Sequence, residues 1–132
     1  MSQLDMLCAV PDSDWEPPNL SELPTRLEGI IGIDLETRDP TLQDTGPAWP
    51  WSVGSREAYV VGYSLVADNV RTYLPIRHEG GGNLPVEAVH RYLNDVLSNP
   101  RQVKVGANVV LYDCGWAETD GVKIVGLEEG NV

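Results

Sequence analysis

One stretch, Gly29-Ile30-Ile31-Gly32-Ile33-Asp34-Leu35-Glu36-Thr37, constrains the fold more than any other part of the chain. Apolar, β-branched residues at this density predict a buried strand over residues 29–37. Side chains alternate along a strand, so Ile31, Ile33 and Leu35 face a core while Asp34 and Glu36 project together from the other side, roughly 7 Å apart. Gly32 leaves open space beside them. Two carboxylates on an otherwise apolar strand repel each other and are costly to desolvate. A bound divalent cation resolves both problems, and so does a solvated sheet face. An acid-x-acid pattern is short enough to occur by chance, so its spacing leaves both readings open.

The remaining pattern builds an α/β domain around that strand. Residues 58–67 read as a second strand, apolar on both faces and hence internal. Asp68 and Asn69 tolerate positive φ and predict a two-residue hairpin turn. Residues 70–76 alternate as a third strand, and Pro75 places it at or near an edge. After a glycine-rich loop over residues 78–82, Pro85 marks a helix start. Val86, Val89, Leu93, Val96 and Leu97 fall on one helical stripe. Residues 102–107 predict a fourth strand, residues 111–119 a short helix stopped by Asp120 and Gly121, and residues 122–125 a fifth strand. The order β-β-β-α-β-α-β gives a mixed sheet with flanking helices. Residues 38–56, with Pro40, Gly46, Pro47, Pro50 and Gly54, form a long loop of the kind that is usually functional or disordered.

Residues 1–28 differ in character. They hold six acids, one base (Arg26) and four prolines, a composition that resists helix and strand. They predict an extended acidic leader, with Trp15 and Leu20 tacked onto a domain spanning residues 29–132. At 132 residues the chain accommodates one domain with a genuine core. The ten-residue uncharged stretch 58–67 is half a membrane span, and no basic segment precedes the apolar patch at residues 6–10. Cys8 and Cys114 form no ligand-like spacing and read as reduced thiols in a cytoplasmic protein. A net charge of -11 counts against broad electrostatic capture of DNA. It leaves room for a site touching few nucleotides, or for carboxylates balanced by cations.

A second chemical feature is Gly106-Ala107-Asn108-Val109-Val110-Leu111-Tyr112-Asp113, where a strand exits into a helix bearing an acid in its first turn. The helix dipole favours an acid there in any case. The carboxyl end of a strand is also where α/β proteins place their sites, and neighbouring strands would bring Asp113 towards Asp34.

These segments resemble a known family. Ile33-Asp34-Leu35-Glu36-Thr37 is similar to the first motif of the DEDD 3'-5' exonucleases, and Asn108-Val109-Val110-Leu111-Tyr112-Asp113 to the second. The likeness is greatest to the proofreading domain of family A DNA polymerases, especially phage-type ones. It extends through Ala58-Tyr59-Val60-Val61-Gly62-Tyr63-Ser64-Leu65, Tyr73-Leu74-Pro75-Ile76, Arg77-His78 and the approach to Asn108, and covers residues 29–126. The resemblance implies a ribonuclease H-like fold and a site with two Mg2+ or Mn2+ ions about 4 Å apart. It implies hydrolysis of single-stranded DNA from the 3' end. By position, Asp34, Glu36 and Asp113 would be the catalytic, metal-holding acids. Asn108, Tyr112, Thr37 and Leu42 would shape the pocket for the terminal nucleotide. Trp49 and Trp51 either stack on bases or cover a core edge.

The resemblance departs in one respect. The family's third motif, a Tyr or His four residues before a final Asp, has no counterpart, since no Tyr or His follows Tyr112. The expectation is therefore an exonuclease fold incomplete at the C-terminus, with low activity alone and a downstream polymerase polypeptide as partner. A non-catalytic module that binds a 3' end or a partner protein is the competing reading. Gly80, Gly81, Gly82 and Asn83 lack the lysine of a phosphate loop and read as a flexible connection. His90 is expected on the helix surface, and Asp120 only ends its helix.

Overall fold

A computed structural model describes residues 14–46 and 57–132. The strand carrying the two acids is β1, Ile31–Arg38. It is followed by a one-turn helix α1, Leu42–Thr45, by the hairpin β2, Tyr59–Ala67, and β3, Val70–Pro75, and by α2, Val86–Val96. A two-residue strand β4, Lys104–Val105, leads into a π-helical turn over Val109–Asp113 and then α3, Cys114–Asp120. The strands form one mixed four-stranded sheet in the order β3-β2-β1-β4, with β4 parallel to β1 and the other pairs antiparallel. The protein is thus α/β, with three helices against a mixed sheet. Among the described residues no helix is long and apolar enough to cross a membrane.

Strand alternation divides the sheet into two faces. Ile31, Ile33 and Leu35 of β1 join Tyr63, Leu65 and Leu74 in the core, where Val89 and Leu93 of α2 and Trp116 and Ala117 of α3 cover them. In register on the opposite face stand Gly32, Val66 and Arg71, then Asp34, Ser64 and Tyr73, then Glu36, Gly62 and Pro75. A β-bulge interrupts β1 and β2 between Glu36 and Thr37, leaving Val61 as the extra residue. Its carbonyl accepts hydrogen bonds from Ile76 (2.9 Å) and Arg77 (3.2 Å), which ties the chain leaving β3 to the bulge. Bulges bend a strand and re-aim its side chains. This one stands beside the acid pair.

Three expected elements differ. The fourth strand stops at Val105 because the chain there passes too close to β1 for anything but glycine: a Cβ on Gly106 would lie 2.6 Å from the Ile33 carbonyl oxygen. Residues 122–125 do not form a fifth strand. Val122 and Ile124 are buried as their pattern demands, but the Val122 N–H bonds the Ala117 carbonyl at the end of α3 and the Lys123 N–H bonds Asn94 of α2. With those donors taken, no ladder forms. The loop after β1 contains α1, opened by an Asx turn in which Asp39 accepts from the Thr41 amide and hydroxyl, both at 3.1 Å. The rest of that loop, with Trp49 and Trp51, lies outside the described residues, as does Cys8.

The stretch preceding β1 is packed onto the domain from Leu20 onward. Leu20 and Leu23 touch the core, Leu27 is buried, and the Pro24 carbonyl accepts from the Tyr92 hydroxyl of α2. Asn69 in the hairpin turn bridges Arg26 and Glu28: its Oδ1 accepts from the Glu28 backbone N–H and its Nδ2 donates to the Arg26 carbonyl. At the other end of the chain, Lys104 is buried. Its ammonium donates to the carbonyls of Asn99 (2.5 Å) and Val125 (2.6 Å), and its amide to the carbonyl of Asn131. Burial lowers the Lys104 pKa, and nearby Glu129 opposes that shift.

Candidate functional site

The site is assembled where β4 ends early. β4 pairs only with Ile31 and Gly32 of β1, so the edge of β1 beyond them is open. The chain turns over that edge at Gly106 and Asn108, whose positive φ of 58° starts the π-helical turn. Five residues later Asp113 is delivered to the open edge, 2% exposed. Burial raises its pKa from the usual carboxylate range to about 6, and the Asp34 charge adds to the effect. Hydrogen bonds from the Leu35 backbone N–H and from its own N–H pull the other way. The Asp113 carboxyl thus caps the β1 edge and lies within electrostatic reach of Asp34, which is exposed. A Tyr112 to Thr37 hydroxyl contact of 3.4 Å closes the same corner.

Glu36 is two residues along the same face as Asp34, but its charge acts on Tyr73 of β3, whose pKa is raised by burial and then by Glu36. It opens onto a cleft of about 780 Å³ formed with Thr37, Leu42, Val61, Arg77 and His78. The exposed pair Arg38 and Glu79, 3.1 Å apart, belongs to the same cleft wall. The structure therefore brings Asp34, Asp113, Thr37 and Tyr112 to one corner, and Glu36, Thr37 and Leu42 to the adjoining cleft. Asn108 is exposed, its side chain making no capping bond, and it contributes its backbone, accepting from the Tyr112 amide at 3.0 Å.

The donor chemistry can be tested against a hard divalent cation. Two carboxylates whose charges disfavour each other, one of them almost wholly buried, form a place where a cation is stabilised. Among the described residues no cluster of three or more His, Cys, Asp or Glu stands in ligating geometry. Asp34 and Asp113 are the two acids brought within electrostatic reach of each other at this corner.

A second polar centre lies on the core side of the sheet and has no counterpart in the sequence reading. Asp120, at the end of α3, accepts from Tyr63 of β2 (2.6 Å), Arg77 (2.6 Å) and His90 of α2 (2.7 Å). Arg77 also donates to the Val60 carbonyl at 2.9 Å. His90 is therefore not a surface residue of its helix, and Asp120 does more than end one. The Tyr63 hydroxyl is held far above its ordinary pKa by burial, then by the bond to Asp120. A usable signal was present: Tyr63 occupies a core-facing position of an internal strand, and a buried phenol needs a partner. Arg77 reaches from this centre to the cleft wall, so the helix that follows Asp113 is coupled to the cleft through one carboxylate.

Comparison with known proteins adds the deciding observation. The chain is 44% identical over 115 residues to a DNA-directed DNA polymerase of Pseudomonas phage M6, an alignment taking in 84% of this chain and 16% of the polymerase. The chain is related to a region of a phage DNA polymerase. It spans well under two thirds of that relative's length. No family model matches the chain.

Proposed function

We propose that this chain carries the first part of a two-metal 3'-5' exonuclease region of a phage-type family A DNA polymerase, acting on single-stranded DNA 3' ends. The observation that carries the reading is the approach of Asp113 to Asp34, two acids 79 positions apart that the resemblance assigns to one site. The sheet order β3-β2-β1-β4, with only β4 parallel to β1, is compatible with a ribonuclease H-like fold. Relatedness to a phage polymerase supports the same reading.

On this reading Asp34 and Asp113 would hold Mg2+ or Mn2+, with Glu36 next along the face. Such an ion, when bound, activates a water and stabilises the leaving oxygen. The chain's own residues do the positioning. Thr37 and Tyr112 offer hydroxyls to the terminal sugar or phosphate, and Leu42, half-exposed on the cleft, packs against the last base. Burial of Asp113 keeps water from competing for its carboxyl. The two-acid geometry, short of three ligating groups among the described residues, favours the non-catalytic 3'-end-binding module as the second reading.

Calorimetric titration with Mn2+ tests the proposal. Weak binding is expected, lost in Asp34→Ala and in Asp113→Ala. Mononucleotide release from a 3'-labelled single strand should vanish in the same variants. Mn2+ binding indifferent to both substitutions refutes the site. Binding without any release, even with the remainder of such a polymerase added, selects the non-catalytic reading.

A further inference from the structure

The sheet face bearing Asp34 and Glu36 also carries a row of aromatic and cationic side chains along β3. Tyr73 stands in register with Ser64 and Asp34, and its ring leans over Gly62, where a Cβ would collide with the phenol. Gly62 in turn is the register partner of Glu36. The absence of a side chain at position 62 is thus what lets the Tyr73 ring reach the Glu36 row. The Tyr73 hydroxyl is hydrogen-bonded to His78 Nε2, whose ring meets Tyr73 edge-on at 5.7 Å. Trp15 lies on Tyr73 with ring centroids 6.1 Å apart and planes at 47°. More than half of Trp15, 56%, remains exposed, in contrast to Trp116 of α3, which is buried in the core. Arg71 precedes Tyr73 by two residues on the same face, about 7 Å along the strand, and is exposed.

We propose that Trp15 and Tyr73, buttressed by His78, form a stacking platform for an unpaired nucleobase of single-stranded DNA, with Arg71 on the adjoining phosphate. Three observations support that occupant. The Trp15 ring, more than half exposed and resting on Tyr73 beside the Glu36 row, offers a base a sequence-tolerant surface. The platform adjoins Glu36, so a strand whose end lies at the acid pair has its preceding bases within reach of β3. A chain with a net charge of -11 is poorly suited to hold a strand by its phosphates, which leaves the bases as the grip. The inference rests on the exonuclease reading for its choice of ligand, and it assigns a different set of residues.

The test measures anisotropy of a fluorescent octathymidylate with the full chain in EDTA, where no metal is held and nothing is cleaved. Wild type is expected to bind. Trp15→Ala and Tyr73→Leu should each weaken binding about 5- to 150-fold, while Trp15→Tyr restores most of the affinity. An oligomer with the same phosphates but abasic sugars should bind as weakly to wild type as octathymidylate does to Trp15→Ala. Arg71→Gln should reduce the slope of log affinity against log salt by about 0.7, and Arg91→Gln, an equal loss of charge on exposed α2, should not. Circular dichroism verifies folding of each variant. No binding by wild type, equal binding by Trp15→Ala, or equal binding of the abasic strand overturns the platform. Because Mn2+ titration reads Asp34 and Asp113 independently, such a result leaves the metal site standing, and loss of the metal site leaves this binding intact.

Discussion

Replacing Asp120 is expected to be among the most damaging single changes in the domain. Its carboxylate is 7% exposed and is the shared acceptor of Tyr63, Arg77 and His90, three donors on three separate segments. Asp120→Ala strands a buried phenol and a guanidinium at once. Breaking a wholly buried pair costs about 3–5 kcal/mol. Arg77 is 32% exposed and recovers part of its hydration, which brings the expected loss to about 2–4 kcal/mol. For a domain of this size that lowers Tm by on the order of 10 °C. Urea unfolding followed by circular dichroism measures it. Asp120→Asn retains one acceptor oxygen and should lose about half as much. A double-mutant cycle of Asp120→Asn with Tyr63→Phe should give a coupling of about 0.5–3 kcal/mol. A loss under about 1 kcal/mol for Asp120→Ala, or additive effects in the cycle, would show that these bonds do not hold the fold together.

Three further outcomes follow from particular groups. Asp113 has its pKa raised to about 6, so the native state holds that proton more tightly than the unfolded chain does. Its contribution is fully present below about pH 4 and is lost as pH rises through about 6, a swing on the order of 2–3 kcal/mol. In EDTA, the stability of Asp113→Asn relative to wild type should therefore climb across that window and level off above it; a flat difference refutes the assignment. Gly106→Ala forces a methyl against the Ile33 carbonyl and should cost about 1–3 kcal/mol in urea unfolding, whereas Gly80→Ala, with open space around it, should cost little. Leu93→Ala removes a fully buried α2 side chain and should cost about 2–5 kcal/mol, visible as a lower urea midpoint at unchanged slope.

Local periodicity made much of the fold legible. The alternation of β1 put Asp34 and Glu36 on one face and its isoleucines on the other, and the Asp68-Asn69 turn and the α2 stripe stand where expected, although neither turn residue takes the positive φ that was the ground for the turn. What escaped depends on partners distant in sequence. The length of β4 is set by a backbone approach at Gly106 that no side-chain pattern announces. Residues 122–125 have a strand's composition, but their N–H groups are claimed by α2 and α3. Asp120 and His90 look like ordinary helix-surface residues until Tyr63 and Arg77 are placed around them. In the candidate site, the type and parity of the acids were readable, while the approach of Asp113 to Asp34 and of Tyr73 to Glu36 depends on pairings distant in sequence.

The buried ammonium of Lys104 implies an uneven tolerance to sequence drift. It secures two stretches of chain by gripping their carbonyls at Asn99 and Val125, and carbonyls are common to every residue type. The Val125 side chain is therefore free to vary without loosening the attachment, while position 104 is not. Arginine is a poor substitute, because a planar fork does not match two acceptors gathered around a compact point charge. Among relatives of this region, variation should accumulate in the tail that is held and be scarce at the residue that holds it.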